Sequence, residues 1–264
     1  MATVLVSIIL AELLMIPLAY KWELNLKIVF ASGVIIGLLV GLIVCAAGTM
    51  FTISWVVRVI VCSVLILVIA ATILLVRFYR DPVRVPTTVD NVILSPADGT
   101  VKYIKTIEKG NIPCSSKGRE HVRLASPLTD ILSNGEGFLI GIGMNFLDVH
   151  ITRAAISGKL TYVKHIPGCF YSLKHEDAPY RNERLIEIIE NHRFKIGLIQ
   201  IASRLVRRIV PYVREGDKLD LGQKIGMIKL GSQVDIVLPR LPELKIKVSV
   251  GEQVYGGTSI IAEI

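Results

Sequence analysis

Between Ile28 and Val57 the chain runs for thirty residues without a charged side chain, and after a lone Arg58 it runs for eighteen more, Val59 to Val76. A helix that crosses a bilayer needs ~20 apolar residues, and inside lipid its peptide groups must be satisfied within the helix itself. Each stretch is long enough for one crossing, with GTMFTIS, residues 48–54, as the connection. Residues 2–20 form a third candidate, interrupted by Glu12 and Pro17. A signal peptide is the other reading of that segment, but a basic leader and a clear cleavage site are missing. We expect three spans and a membrane anchor over residues 1–76. Lys21 and Lys27 follow the first span, and Arg77, Arg80 and Arg84 follow the last. With three spans the positive-inside rule places both clusters, and the domain 77–264, on the cytoplasmic side of the cell membrane. Arg58 reads as a side chain that snorkels to an interface.

Of the 30 Lys and Arg, 27 lie from Arg77 onward, against 20 of the 22 Asp and Glu, so that part carries a net charge of +7. Beside a membrane such a surface suits anionic lipid head groups. Aromatic and basic residues are not interleaved as in nucleic-acid binders, so nucleic acid is not expected as a partner. The four cysteines, at 45, 62, 114 and 169, form no CxxC or metal-binding spacing. A reduced compartment fits, and no metal is expected.

From Asp90 on, short β-rich runs alternate with Gly, Pro, Asn and Asp. Strands are predicted in NVILS, TVKYIKTI, HVRLAS, GFLIGIGM, VHITRAAISGKLTYVKHI, RLIEIIE, FKIGLIQIA, LVRRIVPYV, VDIVLP and KIKVSV. One internal echo stands out. VREGDKLDLGQKIG, residues 213–226, aligns without gaps on VSVGEQVYGGTSII, residues 248–261, matching Gly216 to Gly251 and Gly222 to Gly257. Two similar strand-turn-strand units predict a mainly β domain, a pseudo-symmetric β-sandwich or flattened barrel with lipoyl-like hairpins.

Three local signals carry chemistry. SPADGTV places Asp98 in an Asp-Gly turn, which needs no function to explain it. NFLDVHITRA puts His150 at the start of a strand, where a structural histidine is the plainer reading. LGSQVDIVLP sets Gly231 and Ser232 at the head of a buried-looking strand, where a turn is the plainer reading. With FYRDPVRVP directly after the last span, and YRNER at 180–184, these segments in this order resemble the phosphatidylserine decarboxylase family, in its short membrane-anchored form. Archaetidylserine decarboxylases are similar enough to share the resemblance.

The resemblance implies a self-made pyruvoyl cofactor and no metal. Ser232 would attack the carbonyl of Gly231 and form an ester across the former peptide bond. β-Elimination would then release a new carboxyl end and leave dehydroalanine, which hydrolyses to a pyruvoyl group and ammonia. Glycine at 231 leaves the backbone free to bend and puts no Cβ in the way of attack. A serine hydroxyl needs a base within reach, and His150, oriented by Asp98, matches that role by motif position. The pyruvoyl carbonyl would serve as electron sink while a serine phospholipid loses CO2. Residues 232–264 would stay bound as a small subunit. Asn182 and Glu183 match a segment whose polar side chains could meet the lipid head group. The histidine that long forms carry three residues before the base is Leu147 here, which leaves the proton donor for decarboxylation open, with His150 serving twice as one solution. A homodimer through an exposed edge strand is a further expectation. Two other readings stay open: a tethered lipoyl-like carrier, for which Lys218 is in the wrong context, and a Ser-His-Asp hydrolase, which would display its serine in a strand-turn-helix elbow.

Overall fold

The structure is a computed structural model that describes residues 1–22, 24–87, 91–108, 111–113, 121–123, 126–132, 134–169, 171, 181–202, 208–229 and 232–264. It divides into two compact units, Met1–Arg80 and Asp81–Ile264.

The first unit holds three apolar helices, α1 (Ala2–Lys21), α2 (Leu26–Met50) and α3 (Trp55–Phe78), each long and apolar enough to cross a membrane. Asn25 caps α2 by accepting from the backbone N–H groups of Lys27 and Ile28. Helices α1 and α2 pack through small residues. A Cβ added at Gly37 would lie 2.5 Å from the Cα of Ile8, and one at Gly41 would lie 2.7 Å from that of Val4. That close approach is how helices associate where lipid removes the hydrophobic drive. Arg58 turns back to the carbonyls of Ile53 and Gly48, each at 3.1 Å.

The second unit is mainly antiparallel β. Its central feature is a curled sheet of eight strands in the spatial order Lys218–Leu219, Gly158–Ile166, Arg184–Glu190, Lys195–Ala202, Ser232–Pro239, Gly137–Met144, Gly99–Ile107 and Gln253–Val254. Among the described residues a two-stranded sheet, Asn111–Pro113 with His121–Arg123, and two three-stranded sheets accompany it. One joins Arg208–Pro211, Lys224–Lys229 and Ile151–Arg153, and the other joins Val92–Leu94, Ile260–Glu263 and Lys245–Ile246.

The repeat read from the sequence is built into the backbone. Gly216 and Gly251 have φ of 98° and 91°, and Gly222 and Gly257 have φ of 74° and 77°, values that side chains rarely tolerate. Their hydrogen bonds repeat too. Gly251 N donates to Val101 O at 2.8 Å and Gly216 N to Leu160 O at 2.7 Å, while Gly257 N donates to Ser95 O at 2.8 Å and Gly222 N to Ala154 O at 2.9 Å. The acceptors form a second pair of matched segments, residues 95–101 and 154–160. Each half therefore contributes one edge of the large sheet, the long strand beside it and one small sheet.

Most apolar side chains face one of two cores. Ile140, Ile142, Leu160, Leu198, Val234 and Ile236 lie on the inner face with the small sheets, and Leu139, Ile186, Ile199 and Val237 lie on the outer face under Leu128–Leu132. This two-sided burial makes Leu185–Ile189 buried at every position, so it reads as a continuous run instead of an alternating one.

The single run predicted from Val149 to Ile166 is two strands. Between them Ala154 N donates to Gln223 O and Ala155 O accepts from Leu94 N, so the chain changes partners before Gly158. KIKVSV keeps only Lys245–Ile246 as strand, because Ser249 and Glu252 close a turn.

Candidate active site

Asp98 sits in the turn that feeds Gly99–Ile107. Ser95 shapes this turn by donating its hydroxyl to Ala97 O at 2.6 Å. Gly99 completes it, with φ of 150° and so little room that an added Cβ would lie 2.4 Å from Gly143 O. Asp98 is 2% exposed. Its Oδ1 accepts from Gly256 N at 2.8 Å and from Arg84 Nη1, and its Oδ2 accepts from Arg84 Nη2 at 2.6 Å. Arg84 Nη1 also donates to Gly256 O at 2.6 Å. Next to this pair Arg153, buried, donates to Gly222 O at 3.0 Å and Pro82 O at 3.3 Å, with Asp81 at 3.6 Å. Burial, and then the Arg84 charge, pull the Arg153 guanidinium below its usual range.

His150 is fully buried ahead of the strand Ile151–Arg153. Its Nδ1 lies 2.8 Å from the carbonyl of Asp148. A carbonyl only accepts, so Nδ1 is the donor in this contact, and in the neutral tautomer the lone pair falls on Nε2. The ring's orienting hydrogen bond thus runs to a backbone carbonyl, while the carboxylate of Asp98, expected in that role, is held by Arg84 and Gly256. The segments that carry the two residues are joined by a hydrogen bond from Arg153 N to Pro96 O at 2.8 Å.

Two residues after His150, Thr152 donates to Gln200 Oε1 at 3.1 Å, and Gln200 Nε2 donates to Glu187 Oε2 at 2.7 Å. Glu187 is fully buried, and among the described residues its Oε1 makes no hydrogen bond. Desolvation pushes its carboxyl up to about 7, against a smaller opposing effect of the Gln200 hydrogen bond.

Ser232 opens the strand in the middle of the large sheet, in register with Met144 on one side and Ala202 on the other. Its side chain, Gly231, His175 and Tyr180 lie outside the described residues. A strand follows Ser232 directly, which is not the strand-turn-helix setting of the hydrolase reading. Lys218 lies exposed on a two-residue edge strand.

Asn182 and Glu183 sit beside this strand head. Asn182 is fully buried, its Oδ1 accepting from Tyr171 N at 2.8 Å and its Nδ2 donating to Tyr171 O and Ala202 O, both at 2.9 Å. Its amide is thus engaged with backbone, including the residue paired with Ser232. Glu183 Oε1 meets His165 Nε2 at 2.9 Å. On the outer face Gln233 Nε2 donates to Tyr103 Oη and to Asp235 Oδ1, both at 2.7 Å. Tyr103 Oη donates to Asp235 Oδ2 at 2.6 Å. Burial raises the Asp235 carboxyl to about 6, although Tyr103, Gln233 and Lys105 oppose it.

Sequence reasoning passed over Arg84, Arg153, Glu187 and Gln200. Arg84 lay inside a quoted motif, and a Glu within an unbroken apolar strand was a signal for Glu187. Leu147, at the position of the second histidine of long forms, is half-buried in the turn before His150.

A family model described as phosphatidylserine decarboxylase matches residues 71–262. A protein of Methanocaldococcus jannaschii, provisionally named archaetidylserine decarboxylase proenzyme, is 47% identical over 187 residues, which cover 71% of this chain and 88% of that one. The phosphatidylserine decarboxylase proenzyme of Novosphingobium aromaticivorans is 37% identical over 190 residues, 71% of each chain.

Proposed function

Because the chain belongs to the phosphatidylserine decarboxylase family, we propose that it is a membrane-anchored proenzyme that cuts itself between Gly231 and Ser232 and then converts phosphatidylserine or archaetidylserine to the ethanolamine lipid and CO2. The observation that carries this reading is the matched span, which contains Asp98, His150 and the Gly231–Ser232 pair.

The residues around position 232 fit a pyruvoyl group made in place. The backbone there is fixed from both sides by Met144 and Ala202, and Asn182 holds the carbonyl of Ala202. His150, with Nδ1 tied to a carbonyl, offers Nε2 as the base that takes the proton from the Ser232 hydroxyl. Asp98, fixed by Arg84 and Gly256, is the carboxylate that stabilises the imidazolium so formed. When present, the pyruvoyl group supplies a carbonyl that accepts electrons as the substrate carboxylate departs. With Leu147 unable to move a proton, His150 returns one to the product. The basic surface and the three apolar helices hold the catalytic unit at the cytoplasmic face of the cell membrane, within reach of an anionic head group.

Intact mass measurement of the purified full chain tests the scheme. Two fragments are expected, the smaller covering residues 232–264 and lacking a free amino terminus. Ser232→Ala should give one uncut, inactive chain. Active protein consisting only of uncut chains would overturn the reading.

A further inference from the structure

Arg84 reaches Asp98 from the segment that directly follows the apolar helices. That segment is held to the β domain at several points. Asp81 pairs with Lys224, Pro82 O accepts from Arg153, and Pro86 fills the space that a Cβ at Gly222 would take. At its end the Arg84 guanidinium grips Asp98 with both terminal nitrogens and also donates to Gly256 O. Three parts of the chain therefore meet at one charge: the tether, the carboxylate of the large fragment, and a backbone unit of residues 232–264.

The internal symmetry separates function from scaffolding here. In the other half Ser157 occupies the place of Asp98 and Leu221 that of Gly256, and the same backbone frame forms there with uncharged side chains at those two places, Arg153 donating there to Gly222 O. The frame does not require the ion pair. It occurs in the half that also holds Gly256, and Asp81, Lys224 and Arg153 are the other charges around it.

We propose that Arg84 is a positioning residue for Asp98, so that docking of the juxtamembrane segment completes the self-cleavage site. This rests on the role assigned to Asp98 under the proposed function. A bidentate guanidinium fixes both the position and the rotation of a carboxylate, which a single ammonium cannot do. Misplacing a catalytic group by about 1 Å can slow a reaction ~100-fold.

The test follows self-cleavage of the full chain in detergent, by denaturing gel and mass, for Arg84→Met, Arg84→Lys and Asp98→Asn, with thermal unfolding in parallel. Arg84→Met should cleave about 10- to 100-fold more slowly. Arg84→Lys should be intermediate, and added guanidinium should speed the Met variant but not the parent. In the double variant with Asp98→Asn, the loss of Arg84 should add little, because the two act through one contact. Cleavage of Arg84→Met at the parental rate, with Asp98→Asn impaired, would overturn this inference alone. So would a slow Arg84→Met that neither guanidinium nor the Lys variant recovers while Arg84→Lys unfolds at the parental temperature. Parental cleavage by Asp98→Asn would instead overturn the role of Asp98 itself.

Discussion

Asn182 shows how a buried polar side chain can fix the backbone beside a strand head. Its amide makes three hydrogen bonds to backbone in a site closed to water, one of them to the residue paired with Ser232. Asn182→Ala should destabilise the β domain by ~2–4 kcal/mol, since each orphaned buried group costs about 1–3 kcal/mol. Denaturant unfolding measures the loss, and slower fragment formation should accompany it as the strand head loosens. The candidate residues Asp98, His150 and Ser232 could be named from the sequence because their segments together, in order, resemble one family, while each alone has a plainer structural reading. The partners of Asp98 were not. Arg84 and Gly256 lie 14 and 158 residues from it, and only the fold brings them together. The burial of Asn182 was hidden for a related reason, because polarity alone suggests exposure and burial is a property of the folded sheet.

Strand Arg184–Glu190 carries the buried Glu187 and, with it, a pH dependence that belongs to the sheet. The Glu187 carboxyl is raised from 4.5 to about 7, so the folded state keeps a proton that the unfolded chain gives up earlier. Its contribution to stability is complete below about pH 4.5 and is lost as pH rises to about 7. Asp235, raised from 3.8 to about 6, adds a slope of the same sign at lower pH. Glu187→Gln should flatten the decline between pH 5 and 7 by up to a few kcal/mol, measured by urea unfolding at a series of pH values. The hairpin repeat was legible at this scale because four glycines with positive φ admit few substitutes. The second repeat, residues 95–101 against 154–160, was not, since Gly99 and Gly158 are the only identical pair in it. The break at Ala154 was hidden too, because the residues on either side of it have strand propensity.

Across the whole molecule, residues 232–264 hold positions that no peripheral fragment could. They supply the strand between Lys195–Ala202 and Gly137–Met144, one edge of the large sheet, and two of three strands in a small sheet. If the chain cuts itself as proposed, the two fragments should co-elute in detergent and unfold in a single transition, read by following each fragment through a urea series. The two edges of the large sheet are strands of only two residues, a form that discourages edge-to-edge pairing with another copy. Three apolar helices were legible from uninterrupted hydrophobic length alone. The order of eight strands was not, because strands distant in sequence are neighbours in it. Labelling single cysteines placed at Glu23 and Lys218 should show both on the cytoplasmic side of sealed vesicles; both outside would reverse the proposed orientation, and opposite sides would overturn the two crossings between them.

Seating position 232 between two partner strands has a bearing on the working life of the protein. If the chain is cut before Ser232 as proposed, a molecule whose new amino end has been chemically spoiled could not exchange that piece for a fresh one, because removing it would dismantle the sheet. Each copy would then be consumable, and its replacement would come from newly synthesised whole chains.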